Sequence, residues 1–288
     1  MTAMQTPDGD VHRRTPIGQD LDGVRTQPGV RIAVFVFIGY VAAIVITNLI
    51  SARDFDFSQV TASAENTRNG IVIPVGVAAA YLTIMASVLG WWRPALFEPR
   101  RRVHLPRWLW IIPILAIVGF AADIARSEHR GDFTTEHWWY LIIGFALVGY
   151  SEELMTRGLL LTGMRAEWLE RRVLIVTTLL FALMHGLNLA FGQDLSTTIK
   201  QMVGVIPMAL LFYVVRRVTG TLIFSMVVHG MLDFSIIVFG GTSAAMNNLD
   251  SKAGAPVGAG IPLILAIVAL IVHRKRFFSG NANAPDIE

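Results

Sequence analysis

Eight apolar stretches, near residues 31–50, 70–92, 107–123, 137–155, 172–192, 200–216, 220–240 and 258–273, run through this sequence from one end to the other. Most come near the ~20 residues a helix needs to cross a ~30 Å hydrocarbon core. A transmembrane barrel would instead show short segments alternating between apolar and polar residues. The expected fold is therefore all-α: a polytopic membrane protein built as a helical bundle of about eight transmembrane helices. With 53% hydrophobic and 16% charged residues, the composition fits a membrane protein better than a soluble domain.

Orientation follows from lysine and arginine. If the N-terminus is cytoplasmic, only Arg53, Arg68, Arg126, Arg130, Lys200 and Lys252 of the 24 basic residues fall on the far side, leaving eighteen inside. That asymmetry predicts both termini in the cytoplasm. Trp91, Trp92, Trp108, Trp110, Trp138 and Trp139 all fall at span ends, where an indole prefers the headgroup region. The basic flanks are expected to face anionic lipid, so the bilayer itself is one partner. No basic run interleaved with aromatic residues points to nucleic acid. The net charge is +3, and there is no cysteine, which excludes disulfides, thiolate metal sites and a cysteine nucleophile.

The chain divides into four parts. Residues 1–30, rich in Asp, Gly, Pro and Thr, read as a disordered cytoplasmic tail. Residues 31–130 hold the N-terminal transmembrane helices, residues 137–240 the span set with the chemistry, and residues 258–288 the last helix and a cytoplasmic tail. The outline is that of a bacterial plasma-membrane protein.

Ionisable residues inside membrane spans need a reason, and function is the leading one. Glu152 and Glu153 stand together at the end of one apolar run, and His185 and His229 lie inside two later ones. Glu153 and Arg157 are four apart, on one helical face, as an ion pair requires. Glu152 projects about 100° away and is free to face the bundle interior as a general base. In FALMHGLN, Phe181 and His185 are four apart, and Gly186 lets another backbone come close. In HGMLD, Asp233 lies one turn from His229, where a carboxylate orients an imidazole. Taken singly, each has a plain reading: interfacial glutamates reaching water, an interhelical histidine contact, a structural polar pair.

Other protease patterns are missing. There is no HExxH, Gly149-Tyr150-Ser151 continues into Glu152 rather than glycine, and no two intramembrane aspartates form a dyad.

The three motifs Glu152-Glu153-Leu-Met-Thr-Arg157, Phe181-Ala-Leu-Met-His185 and His229-Gly-Met-Leu-Asp233, in that order, resemble EExxxR, FxxxH and HxxxN/D of the CPBP family. These are the CAAX protease and bacteriocin-processing, or Abi, intramembrane endopeptidases, relatives of the Rce1-type CAAX prenyl proteases. The resemblance covers about residues 137–240, and Asp233 stands where the prenyl proteases carry Asn. It implies a membrane-embedded endopeptidase acting on membrane proteins or peptides. Glu152 with His185 would activate water, Glu153 would belong to the same centre, and His229 with Asp233 would stabilise the oxyanion or orient the other groups. Arg157, Phe181 and Gly186 would support them. Glu152, His185 and His229 also make an acceptable zinc set with one position open for water, and the same groups suffice without metal, so the cofactor is none or a divalent metal. A proton-coupled transporter, or a non-enzymatic scaffold or immunity protein using the same groove, remains an alternative.

Overall fold

The computed structural model describes residues 23–54, 56–98, 105–240 and 257–278, and among these it contains helices and no strand. Helix α1 spans Val30–Ser51, α2 Ala64–Leu89, the short α3 Trp92–Leu96 and α4 Arg107–Arg126. Helix α5 consists of an α-helical part Thr135–Glu153, a π-helical stretch Leu154–Leu160 and a last α-helical turn Leu161–Arg165. Then follow α6 Glu170–Met184, α7 Leu195–Thr219, α8 Leu222–Gly240, α9 Gly260–Val272 and the short α10 Arg274–Phe278. Among the described residues, six helices are long and apolar enough to cross a membrane: α1, α2, α4, α6 with its following turn to Ala190, α7 and α8. The protein is an all-α polytopic membrane protein.

Two expected spans fall outside that set for physical reasons. Helix α9 is apolar but only 13 residues long. Helix α5 is long enough, but it carries Glu136, His137, Glu152 and Glu153. These polar residues lower the hydropathy of the stretch.

The termini differ from the plain reading. Of the stretch read as a tail, residues 1–22 lie outside the described residues, but Arg25 and Thr26 donate their backbone N–H groups to the Leu89 carbonyl at 3.1 and 3.2 Å. The Trp91 indole donates to the Thr26 carbonyl at 2.7 Å, fastening this segment to the end of α2. Residues 279–288, Lys252 and Arg100, Arg101 and Arg102 also lie outside the described residues.

The largest departure concerns α5. The sequence reading ends this span near residue 155 and puts Arg157 at the membrane flank, yet the helix continues to Arg165 and the Arg157 side chain is 2% exposed. Glu152 therefore lies thirteen residues before the helix end, on the order of 20 Å along the axis. His185 follows the start of α6 by fifteen residues, a similar ~22 Å. The two side chains reach the same level because α5 is long, which removes the mismatch in depth that a short α5 implies.

Arg165, Arg216 and Arg217 do not face lipid, contrary to the expectation for basic flanks. The side chains of Arg165 and Arg216 are wholly buried and that of Arg217 nearly so. Arg165 pairs with Glu98 at 3.0 Å and with Glu170, which also takes a bond from Arg217 at 3.1 Å and from the Tyr213 hydroxyl at 2.7 Å. A guanidinium leaves water only where carboxylates and carbonyls meet it, and two glutamates supply that here.

Helices α5 and α8 cross where neither has a side chain. A Cβ built on Gly149 would lie 2.3 Å from the Met226 carbonyl oxygen and 2.8 Å from the Gly230 nitrogen. One built on Gly230 would lie 2.7 Å from the Phe145 carbonyl oxygen. These neighbours are backbone atoms, so only a shift of a whole helix relieves the clash. Gly149→Val or Gly230→Val is expected to exceed the ~1–3 kcal/mol typical of overpacking. Thermal melting of the detergent-solubilised protein should show it as a lower midpoint.

Candidate active site

The α5–α8 crossing sets the site, because Glu152 and Glu153 follow Gly149 within about one turn and His229 adjoins Gly230. Glu153 turns inward, with its side chain 0% exposed. Its Oε1 accepts from Arg157 Nη1 at 2.8 Å, the one-turn pair that the spacing predicts. The same oxygen lies 3.0 Å from His229 Nδ1, across 76 residues of sequence. An ionised carboxylate only accepts, so His229 donates there from its Nδ1–H. Its other nitrogen, Nε2, faces Asp233 Oδ2 at 3.4 Å and Glu152 Oε2 at 3.8 Å.

Three carboxylates thus surround one imidazole, and they are not equivalent. Glu153 is sealed in, whereas the side chains of Glu152 and Asp233 are 16% and 28% exposed. Glu152 Oε2 is nevertheless buried and has no hydrogen-bond partner among the described residues. His185, at the C-terminal end of α6, is half-buried. Its Nδ1 lies 2.9 Å from the Phe181 carbonyl. A carbonyl oxygen cannot donate, so Nδ1 carries the proton and Nε2 of the neutral ring is left as an acceptor.

Aromatic rings fix these groups. Phe212 stacks flat on His229, centroids 4.4 Å apart at an interplanar angle of 19°. Phe181 meets both imidazoles edge-on, His185 at 4.9 Å and His229 at 5.7 Å. The Arg157 guanidinium lies over Phe181 at 4.2 Å and near Phe212 at 5.5 Å. A cation over two ring faces gains cation–π attraction while the rings keep water from its ion pair. Gly186 comes close to α7, where a Cβ would lie 3.5 Å from the Met202 sulfur.

Sequence reasoning missed Phe212, since one more phenylalanine in an apolar run carries no signal of its own. It also missed the Glu153–His229 bond, which no local spacing encodes.

Glu152, His185 and His229, the set that would hold a zinc ion, do not form a ready-made metal centre among the described residues. Glu153 holds His229 Nδ1 and the Phe181 carbonyl holds His185 Nδ1, the outer contacts usual for ligating histidines, so Nε2 of each ring and the Glu152 carboxylate are the groups that would hold an ion.

The arrangement joins a sealed ion pair to a mostly buried second carboxylate with an imidazole at the same level, groups able to hold and deprotonate a water beside a polarised carbonyl. Comparison with family models gives one match: residues 134–235 match the Rce1-like type II CAAX prenyl endopeptidases. This segment runs from the start of α5 to Ser235 in α8 and contains all three motifs. Comparison with curated proteins and with solved structures returns no match.

Proposed function

We propose that this chain, which carries an Rce1-like type II CAAX prenyl endopeptidase domain over residues 134–235, hydrolyses peptide bonds of membrane-associated or lipidated proteins and peptides, with Glu152 as the general base. The observation that carries this reading is the division of labour between two adjacent glutamates. Glu153 is sealed against Arg157 and His229, while Glu152 keeps a small opening, 16% exposed, and faces His229 Nε2.

The unpartnered Oε2 of Glu152 needs a donor, and a water between Glu152 and His185 supplies one. His185 Nε2 accepts a hydrogen bond from that water's second O–H, which stays intact, and so aims the oxygen lone pair. Glu152 takes one proton as the water oxygen attacks the peptide carbonyl. The oxyanion that forms is met by the Nε2–H of a doubly protonated His229, whose ring Glu153 orients through Nδ1–H and whose Nε2–H faces Asp233 until the oxyanion takes that place. Collapse of the tetrahedral species breaks the C–N bond, and Glu152 returns its proton to the departing amine. A positioned base contributes ~10²- to 10⁴-fold and an oxyanion donor about 10²- to 10³-fold, so these few groups account for a large part of such a catalyst. With both termini in the cytoplasm, as the charge asymmetry indicates, the Arg165–Glu98–Arg216 end of the bundle faces inward.

No step runs through a metal. On this side-chain route EDTA and 1,10-phenanthroline leave turnover within about twofold of the untreated rate, and a larger loss assigns Glu152 and the two Nε2 atoms to an ion. A fluorogenic peptide ending in a prenylated Cys-aliphatic-aliphatic-X sequence, and the same peptide without the lipid, test the substrate class. Cleavage of the lipidated peptide that vanishes in Glu152→Ala supports the reading. Equal cleavage of both removes the lipid from recognition, and cleavage of neither by folded protein counts against a prenylated tail as substrate.

A further inference from the structure

The π-helical stretch Leu154–Leu160 follows directly on Glu153 and contains Arg157. Such insertions are rare and tend to sit at functional sites, because they rotate one part of a helix against the next. They also disturb the backbone ladder. The N–H of Leu161 would bond to the Arg157 carbonyl in a regular α-helix, but it bonds to the Thr156 and Gly158 carbonyls instead. The Arg157 carbonyl accepts from Arg216 Nη1, a side chain on α7.

Arg216 is held from three further directions. Its Nε donates to Glu98 Oε1 at 2.7 Å, Nη1 to the Ala95 carbonyl at 2.8 Å, and Nη2 to the Pro94 carbonyl at 3.1 Å. Glu98 is tied down in turn, its backbone N–H donating to the Gly220 carbonyl at 2.9 Å. Arg216 lies one turn beyond Phe212, the ring that stacks on His229. One helix face thus clamps the imidazole with Phe212 and the backbone of the glutamate helix with Arg216.

We propose that Arg216 is a positioning residue for the hydrolysis: by capping the Arg157 carbonyl that the π-helical stretch leaves over, it holds Arg157 and Glu153 in register with His229. The inference rests on the endopeptidase reading above. Arg217, the next residue, provides an internal comparison. It belongs to the same buried cluster, bonding to Glu170 at 3.1 Å and to the Phe277 carbonyl at 2.8 Å and lying 3.6 Å from Glu98 Oε2, but it does not bond to the Arg157 carbonyl. Loss of either guanidinium removes buried ion pairs, but only loss of Arg216 frees the Arg157 carbonyl.

The experiment compares wild type, Arg216→Lys, Arg216→Gln, Arg217→Gln and Glu152→Ala in detergent, following any cleavage that depends on Glu152 alongside thermal melting. Lysine keeps the charge but cannot fork across the Glu98 carboxylate and three carbonyls at once. Both Arg216 variants are expected to lose about tenfold or more in kcat with KM within about twofold, since small displacements of reacting groups cost this much. Arg217→Gln should melt at a lower temperature and keep its kcat. An equal fall in kcat for Arg216→Gln and Arg217→Gln, or full kcat in Arg216→Lys, overturns the positioning role while leaving the endopeptidase reading intact. Absence of Glu152-dependent cleavage in folded wild type overturns both. If neither Arg216 variant folds, Glu98→Gln is compared with Arg165→Gln and Arg217→Gln, since Glu98 pairs with Arg165, Arg216 and Arg217: a lower kcat at unchanged KM in Glu98→Gln alone supports the role, and an unchanged kcat, or an equal fall in all three variants, ends it.

Discussion

Glu152→Gln is expected to give a folded protein whose kcat is lowered about 10²- to 10⁴-fold, the range that a positioned general base supplies. Glutamine has nearly the shape of glutamate, and Glu152 has no hydrogen-bond partner at its buried Oε2 among the described residues, so the substitution breaks no hydrogen bond at that atom. KM should change little, because the lost interaction is made as the water attacks rather than when the peptide binds. Melting in detergent and turnover of the same preparation check both halves. A large fall in melting temperature would make Glu152 a structural residue instead.

The neighbouring substitution should behave in the opposite way. Glu153→Gln leaves the Arg157 guanidinium and the His229 imidazole facing a neutral amide in a site closed to water. Breaking a buried pair from one side typically costs about 3–5 kcal/mol, because the surviving charge stays buried without compensation. That is a large share of the ~5–15 kcal/mol that keeps an ordinary domain folded. Glu153→Gln should therefore melt far lower than wild type or accumulate poorly, with activity lost as a secondary effect. Two adjacent glutamates thus separate cleanly, one moving rate and the other moving stability. Denaturation monitored by helicity, run on both variants and on Arg157→Gln, checks the contrast. Arg157→Gln should fall on the Glu153 side of it.

Much of this was legible in the sequence because membrane spans and helical spacing are local. The apolar stretches located the helices, and one-turn spacing placed Glu153 against Arg157 and His229 against Asp233. The end of α5 was not legible. An arginine after an apolar run reads as a membrane flank, and nothing local distinguishes Arg157, stacked between Phe181 and Phe212, from one that reaches headgroups. The same holds for Arg165 and Arg216, whose partner Glu98 lies 67 and 118 residues away. The π-helical stretch leaves no trace in a 3.6-residue period, although it decides which carbonyl Arg216 can reach. Gly149 and Gly230 were visible as glycines, but their pairing follows only from how α5 and α8 cross.

The central claim is that Glu152 drives hydrolysis of peptide bonds at the membrane. Its most direct test is quantitative terminal-peptide mass spectrometry of membranes from cells carrying wild-type protein, Glu152→Gln or His185→Ala, each at equal folded level. New peptide termini present with wild type and missing from both variants are the predicted result, and they would also identify the substrate. Identical sets of termini in all three membranes would contradict the account and leave a binding or regulatory role for the same groove.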